Sequence, residues 1–195
     1  GYLEVINPAP EQMEKALPLL QALARFFSIL LRNRNLIRHI DRLGKIDPLT
    51  AIMNRRGLLD YLQNLPDNRQ YAFFFGDLNG LKETNDRLGH EAGDTLIKAA
   101  ASLLESACPT DAVFRMGGDE FLMVEEIQDS AQAGAICAQL HDRFRTAGIS
   151  IALGYALATT PIDNIDTILA TADRHMYQEK IQHHQTRHQH IDIDN

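Results

Sequence analysis

The sequence predicts an α+β domain that follows a long N-terminal helix. Three observations support this class: a helical pattern over residues 11–44 with no glycine before Gly44, apolar strand-like runs bounded by turn residues, and amphipathic helical patterns between those runs. Within the domain, the elements follow the order strand, helix, strand, strand, helix, strand, with one further helix at the end. This order is the ferredoxin-like βαββαβ plan.

The N-terminal helical pattern carries the apolar spacing of a coiled coil. Apolar residues follow alternating steps of four and three, at Ala16, Leu20, Leu23, Phe27 and Leu30. One interpretation is a helix that packs on the core of its own domain. The other is a two-stranded signalling helix that joins two copies of the chain, and the regular spacing together with the absence of glycine favours it.

The elements after this helix each have the pattern of one type. They are a short helix around residues 58–62, a buried strand at 71–77, an amphipathic helix at 89–107, strands at 111–116 and 120–124, a helix around 133–144, a strand at 149–157 and a final helix at 165–181. Gly117-Gly118 is a two-residue hairpin signal. In this plan the first two strands run parallel with the third antiparallel between them, so the hairpin tip should lie beside Asp77.

The composition limits the partners and the compartment. The net charge of -7 argues against a broad surface for nucleic acid, and we expect none as a partner. Cys108 and Cys137 form no CxxC pair, so we expect a reducing, cytoplasmic compartment and no disulfide framework. No apolar run reaches the roughly 18 residues that a membrane-spanning helix needs.

Three carboxylates meet at the predicted sheet edge: Asp77, Asp119 and Glu120. Such a cluster repels itself, and a divalent cation relieves the repulsion. Hard oxygen ligands suit Mg²⁺, which is commonly shared with substrate phosphates, and such a site supports in-line phosphoryl or nucleotidyl transfer. The alternative is an ordinary surface hairpin with solvated acids, which the convergence of Asp77 disfavours.

The turn after the first strand carries groups that suit a nucleotide. Backbone N–H groups around Gly80 can meet phosphates, and Lys82 can neutralise phosphate charge. Asn85 and Asp94 supply a carboxamide and a carboxylate, which suit the hydrogen-bonding edge of guanine. The alternatives are that Asn85 is a helix cap or turn residue and that Asp94 is an N-cap, and both stay open from sequence.

Five segments occur in an ordered set: DPLTAIMNRR, GDLNGLKETNDRLGHEAGD, RMGGDEF, ISIALGYA and ADRHMYQEK. Together they resemble the GGDEF family of diguanylate cyclases, whose signature is intact at residues 117–121. The resemblance covers a domain at residues 45–182 and implies the nucleotidyl-cyclase-like form of the predicted fold. It implies an enzyme that joins two GTP molecules into cyclic di-GMP with loss of two pyrophosphates.

The resemblance also implies roles for individual residues. The cofactor would be Mg²⁺, with Mn²⁺ as the alternative, and its site would consist of Asp77, Asp119, the backbone carbonyl of Leu78, and Glu120 beside them. Asp119 or Glu120 would help to deprotonate the attacking 3'-hydroxyl. Asn85 and Asp94 would bind guanine. The phosphates would be contacted by Asn79, Gly80, Leu81, Lys82 and Lys180.

The two ends of the chain suggest partners. Each domain would hold one GTP, so a two-fold symmetric product requires two facing domains, which the helix at 11–44 would join as a homodimer. Residues 1–10, GYLEVINPAP, resemble the end of a GAF sensor domain and imply an upstream sensor in a longer protein. Residues 183–195 form a His-rich polar tail, which is either a transition-metal site or, as we expect, a loosely ordered end.

Two departures from the family pattern bear on regulation and activity. Many members have an Arg-x-x-Asp product-inhibition site before the signature. Here Cys108 replaces the arginine while Asp111 is retained, so we expect no inhibitory site. The family's Gly-Arg-Asn after Lys180 is replaced by HHQ at 183–185, which removes one phosphate contact unless Arg187 supplies it. A GTP-binding domain without turnover and a purely structural dimerisation module are therefore rival functions.

Overall fold

The computed structural model describes the backbone of residues 10–191 and the side chains of residues 16–34 and 44–181. Contacts divide the chain after Gly44 into an N-terminal helix and a domain that begins at Lys45. The expected GAF-like end lies outside the described residues except for Pro10, and so do the side chains of the His-rich tail. No helix within residues 10–191 is long and apolar enough to cross a membrane.

Helix α1, Pro10–Leu43, is 34 residues long. Its described part exposes large apolar side chains, each by at least 39%: Leu17, Leu19, Leu23, Phe26, Phe27, Ile29, Leu30 and Leu31. Three of them, Leu23, Phe27 and Leu30, occupy the predicted coiled-coil spacing. Exposed apolar surface of this extent is typical of a helix that binds a partner.

A five-stranded sheet in the order β1-β3-β4-β2-β5 forms the domain. β4 runs antiparallel to both β3 and β2, so β2 and β3 are parallel, and β5 pairs antiparallel with β2. The predicted α+β class and strand arrangement are confirmed. The short strand β1, parallel to β3, is an addition that the sequence pattern did not indicate. The strands are β1 (Met53–Asn54), β2 (Gln70–Leu78), β3 (Val113–Gly117), β4 (Glu120–Glu126) and β5 (Ile151–Thr159).

Five helices accompany the sheet in the described part of the domain: α2 (Arg55–Gln63), α3 (Leu81–Leu88), α4 (His90–Ala107), α5 (Ser130–Thr146) and α6 (Ile165–Ile191). Helix α3 occupies the segment where the sequence predicted only a turn. Gly89, with a φ of 87°, ends α3 and separates it from α4, because this backbone conformation cannot continue a helix. Helix α6 continues beyond residue 182, where the tail was expected to begin.

Strand β2 is the centre of the core. Its residues 71–76 are buried, which explains why the sequence there is a continuous apolar run rather than an alternating one. Helix α6 packs so closely on β5 that Gly154 has no room for a side chain, since a Cβ there would lie 2.1 Å from the backbone nitrogen of Met176. This contact fixes α6 against the sheet and thereby positions Lys180.

Candidate active site

The end of β2 and the β3–β4 hairpin form an acidic edge, defined as Asp77, Asp119 and Glu120. Asp77 and Glu120 are direct partners across the β2–β4 ladder. The Leu78 N–H donates to the carbonyl of Asp119 at 3.1 Å. The predicted topology required the hairpin to meet the end of β2, and the structure brings these four residues together.

The acidic edge is only partly neutralised. Burial raises the pKa of Glu120, and the charges of Asp77, Asp119 and Asp173 raise it further. The Nζ of Lys180 lies 2.5 Å from Asp77 Oδ1 and opposes this effect with its positive charge. Burial and the three neighbouring carboxylates together outweigh this ammonium group, so the pKa of Glu120 stays raised.

The donor atoms of the acidic edge fit a divalent cation. Within the described residues, no three carboxylate, thiol or imidazole side chains are arranged to hold a metal ion. The Asp77 carboxylate forms an ion pair with Lys180. Yet Asp77, Asp119 and the Leu78 carbonyl supply hard oxygen atoms. Burial is the main cause of the raised pKa of Glu120, and the repulsion from neighbouring carboxylates that adds to it is one that a cation would relieve. A cation at Asp77 would displace the Lys180 ammonium.

A cavity of about 640 Å³ lies beside the acidic edge and includes Asp119 in its wall. The wall contains all the residues predicted to contact phosphate: Asn79, Gly80, Leu81, Lys82 and Lys180. Asn79 differs from the expectation, because its backbone N–H donates to the Ser150 carbonyl and its Nδ2 to Ser150 Oγ, both at 3.0 Å. These two donors of Asn79 hold the wall together instead of facing a ligand.

The first turn of α3 offers amide groups for a phosphate. Gly80 is the N-cap, with a φ of 79°, and no side chain caps the helix. An uncapped helix start leaves N–H groups without intrahelical partners and carries the positive end of the helix dipole. Because Gly80, Leu81 and Lys82 also line the cavity, this helix start is suited to an anion.

Asn85 and Asp94 lie on the neighbouring helices α3 and α4, outside the residues that line the cavity. Both are inside their helices, so both capping alternatives are wrong. Asn85 Oδ1 is buried and has no hydrogen-bond partner among the described residues. This oxygen packs so tightly on Gly93 that a Cβ built on Gly93 would lie 2.0 Å from it. A donor from a ligand would satisfy this acceptor, and Asp94, the residue after Gly93, is exposed.

Arg115 ties the hairpin to the segment before β1. Its Nη1 donates to the two carboxylate oxygens of Asp47 at 3.0 and 3.2 Å. Its Nη2 and Nε donate to the Gly118 carbonyl at 2.7 and 3.2 Å. Burial opposes the charge of Asp47, but hydrogen bonds from Thr50 and Arg115 outweigh it and lower the pKa of Asp47. Arg115 therefore holds the hairpin tip in place.

Sequence reasoning missed several groups that shape the site. Arg87 lines the cavity from α3, and the turn at residues 148–150 forms part of the wall. Asp173, on α6, contributes to the raised pKa of Glu120. The helical spacing from Gly80 and Thr84 to Arg87 is a signal that could have found Arg87. No comparable pattern in the sequence marks the turn before β5.

The segment at residues 108–111, called here the Cys108 turn, differs from an anion site. Cys108 is 3% exposed, and burial raises the pKa of its thiol. Its Sγ lies 3.5 Å from Thr110 Oγ1 and 4.0 Å from the carbonyl of Val124. Asp111 is exposed and has a φ of 54°. The expectation that this turn does not bind the product stays a prediction.

Comparison with known protein families identifies one match: the model of the family described as "Diguanylate cyclase, GGDEF domain" matches residues 44–186. Diguanylate cyclase DgcN of Escherichia coli is 34% identical over 152 residues, covering 70% of this chain and 37% of that protein. The bifunctional diguanylate cyclase/cyclic di-GMP phosphodiesterase MucR of Pseudomonas aeruginosa is 32% identical over 159 residues, covering 74% of this chain and 23% of that protein.

A solved structure shares the fold. The coiled coil and GGDEF domain of DgcB from Caulobacter crescentus, in complex with c-di-GMP, matches with a TM-score of 0.70 at 20% identity, covering 84% of this chain and 95% of that one. The chain spans less than half the length of DgcN and of MucR. Since the family match extends over most of the sequence and includes the intact signature at residues 117–121, the chain belongs to the GGDEF family.

Proposed function

We propose that the chain is a diguanylate cyclase, which condenses two GTP molecules into cyclic di-GMP and two pyrophosphates. The observation that carries this proposal is the acidic edge beside a cavity whose wall contains Asp119, Lys82 and Lys180. Carboxylates that hold a cation, next to ammonium groups that meet phosphates, are the groups that nucleotidyl transfer uses. The family match and the relatives named as diguanylate cyclases support the same activity.

Asp77 and Asp119, with the Leu78 carbonyl, are the residues we propose to hold Mg²⁺, or Mn²⁺ in its place. When bound, the ion lowers the pKa of the 3'-hydroxyl and offsets charge on the leaving pyrophosphate. Glu120 lies beside these donors with a pKa raised by burial and by its acidic neighbours. Because a raised pKa makes a carboxylate a better proton acceptor, Glu120, with Asp119 as the alternative, takes the 3'-hydroxyl proton.

Lys180, Lys82 and the first turn of α3 are the proposed phosphate-binding groups. Lys180 pairs with Asp77 and also lines the cavity, so its ammonium group would be available to a phosphate if a cation replaced it at Asp77. The N–H groups of Leu81 and Lys82 meet phosphate oxygens at the uncapped start of α3. Arg87 is a further cation in the same wall and compensates for the family's missing Gly-Arg-Asn stretch.

Guanine is the base that we propose Asn85 and Asp94 bind. The buried Oδ1 of Asn85 has no donor among the described residues, and the guanine N1–H and N2–H₂ groups are donors. The exposed carboxylate of Asp94 accepts from the same edge of the base. Hydrogen bonds to the carboxamide and the carboxylate together distinguish guanine from adenine, whose corresponding edge has an acceptor at N1.

Cyclisation requires two copies of the chain, each with one GTP, because each nucleotide supplies a 3'-hydroxyl to the other. Helix α1 exposes Leu23, Phe27 and Leu30 at coiled-coil spacing, and we propose that it pairs two chains as a homodimer. The resemblance of residues 1–10 to the end of a GAF domain suggests that an upstream sensor controls this pairing.

Incubation of the chain with GTP and Mg²⁺, followed by chromatography of the products, tests the proposal. We expect one cyclic di-GMP for every two pyrophosphates, with a rate per chain that rises with chain concentration until pairing is complete. Bound but unchanged GTP at saturating chain concentration would instead support a receptor without turnover. No binding and no product would support a purely structural module.

A further inference from the structure

A second cavity, of about 350 Å³, lies on the other side of the β3–β4 hairpin in the order of the sheet. The residues that matter here are Asn54, Arg55, Arg56, Arg115, Gly117 and Gly118. We call this cavity the arginine pocket. It shares the hairpin with the larger cavity, whose wall contains Asp119, so the same turn separates the two.

The arginine pocket has more positive than negative charge, although the chain as a whole carries -7. Its lining includes three guanidinium groups but a single carboxylate, Asp47, whose charge is balanced by the ion pair with Arg115. Arg55 Nη2 lies 3.8 Å from Asp166 Oδ1, and these side chains are 66% and 81% exposed, so this pair is weak. Arg56 makes no ion pair with the residues that the structure describes.

The backbone at Arg56 is held by a helix cap, and the glycine turn of the hairpin nearby leaves open space. Asn54 caps α2 by accepting from the N–H groups of Arg56 and Gly57 at 2.9 and 3.1 Å, which fixes the first helical turn. A Cβ on Gly117 or Gly118 would meet no atom within 4 Å, so the space beside the hairpin tip is open. The Arg56 side chain is exposed at this capped helix start and makes no hydrogen bond or ion pair with the described residues. A guanidinium in this position beside an open glycine turn is suited to phosphate, whose oxygens accept its paired N–H groups.

We propose that the arginine pocket binds phosphate groups, with Arg56 as the principal donor and Arg55 as the second. The bound phosphate groups have two possible sources, which the experiment below distinguishes. One is the nucleotide held by the facing copy of the chain, and this source rests on the proposed function. The other is a free polyphosphate anion such as pyrophosphate. In the first case the pocket would hold the second substrate beside the hairpin that carries Asp119.

Two measurements on the full chain test the proposal. Inorganic pyrophosphate is titrated calorimetrically without divalent cations, and the rate of cyclic di-GMP formation is measured with Mg²⁺ and GTP. The variants are Arg56→Gln, Arg56→Lys, and the control Arg143→Gln, an exposed arginine of α5 that donates to the Ser106 carbonyl. Arg143→Gln should leave both measurements unchanged.

For a free anion, Arg56→Gln weakens the affinity for pyrophosphate about tenfold, the effect of one charge-assisted contact. For the nucleotide of the facing copy, the pyrophosphate affinity stays the same while the rate falls about tenfold. In either case Arg56→Lys recovers part of the loss, because it keeps the charge without the guanidinium fork. Unchanged pyrophosphate affinity together with an unchanged rate overturns the proposal.

If the wild-type chain makes no cyclic di-GMP, the proposed function fails separately from the arginine pocket. The pyrophosphate titration then decides alone. Weaker binding by Arg56→Gln keeps the pocket as an anion site, and equal binding by Arg56→Gln and Arg143→Gln eliminates it.

Discussion

The Cys108 turn precedes Asp119 and Glu120 of the acidic edge closely in sequence, but the two regions differ in how their polar groups are satisfied. At the acidic edge, burial and three neighbouring carboxylates raise the pKa of Glu120. On α3, the helix that follows Asp77 in sequence, Asn85 Oδ1 is buried without a partner among the described residues. In the Cys108 turn, by contrast, the buried thiol has polar contacts with Thr110, the Val124 carbonyl and the Glu125 carboxylate.

This difference separates a region whose groups are suited to bind a ligand from one whose buried thiol already has contacts within the protein. Groups that bind a ligand are held in place at some cost to stability, and the ligand removes that cost. Cys108, which takes the position of the arginine in the family's inhibitory site, is instead part of the hydrophobic core. Substitutions should therefore have opposite effects on stability and activity in the two regions.

The largest expected effect is on catalysis by Asp119→Asn. The variant keeps the shape of the side chain but removes the charge that we propose to hold the cation, so cyclic di-GMP synthesis should fall roughly 10²- to 10³-fold. Initial rates with Mg²⁺ and GTP measure it. Asp142→Asn, which removes an exposed partner of Arg145 on α5, is the matched control and should retain activity. Wild-type rates in Asp119→Asn would remove the acidic edge from the mechanism.

Asn85→Ala should weaken GTP binding about tenfold, the effect of one buried hydrogen bond to the base. Thermal stability of the free chain should not fall, because Oδ1 loses no partner within the described residues. Calorimetric titration of a non-hydrolysable GTP analogue, combined with thermal unfolding, measures both. A loss of stability without a loss of affinity would mean that Asn85 is a packing residue for Gly93 and α4.

Glu120→Gln should raise the melting temperature of the free chain at neutral pH. A glutamate whose folded pKa is raised is less stable ionised in the folded state than in the unfolded state, so its charge destabilises the fold above that pKa. The gain should disappear below the ordinary glutamate pKa, where both chains are neutral at this position.

Cys108→Ala should instead lower stability by about 1 kcal/mol at every pH in this range, since it removes buried volume. Equal shifts in both variants would contradict the comparison.

Product inhibition should be weak, which is the smallest of the expected effects. Cys108 is buried and supplies no guanidinium for the phosphates of cyclic di-GMP. Initial rates at increasing cyclic di-GMP measure the apparent Ki. Asp111→Ala should leave this Ki unchanged. Sub-micromolar inhibition that Asp111→Ala abolishes would show that the turn binds the product without the arginine.

The order of strands and the position of the acidic edge could be predicted from sequence because they follow from local patterns. The apolar run of β2, the glycine pair before Asp119 and the chain order determine which strand ends meet. Helix α3 was missed because its hydrophobic positions are few and Gly89 separates it from α4. Strand β1 was missed because two residues carry no periodicity.

Contacts between distant side chains could not be predicted, because they depend on packing distances that no local pattern records. The Lys180–Asp77 ion pair depends on how closely α6 approaches β5 at Gly154. The Arg115–Asp47 pair joins strand β3 to the segment before β1, two regions that are remote in sequence. The tight contact between Asn85 and Gly93 depends on the angle between α3 and α4.

Binding of Mn²⁺ in the presence of a non-hydrolysable GTP analogue, measured by electron paramagnetic resonance, tests most directly whether the acidic edge holds a cation. We predict that wild-type chain and Asp142→Asn bind the ion, whereas Asp77→Asn and Asp119→Asn each lose most of the bound signal. Undiminished Mn²⁺ binding in both Asp77→Asn and Asp119→Asn would contradict a cation site shared by these two carboxylates.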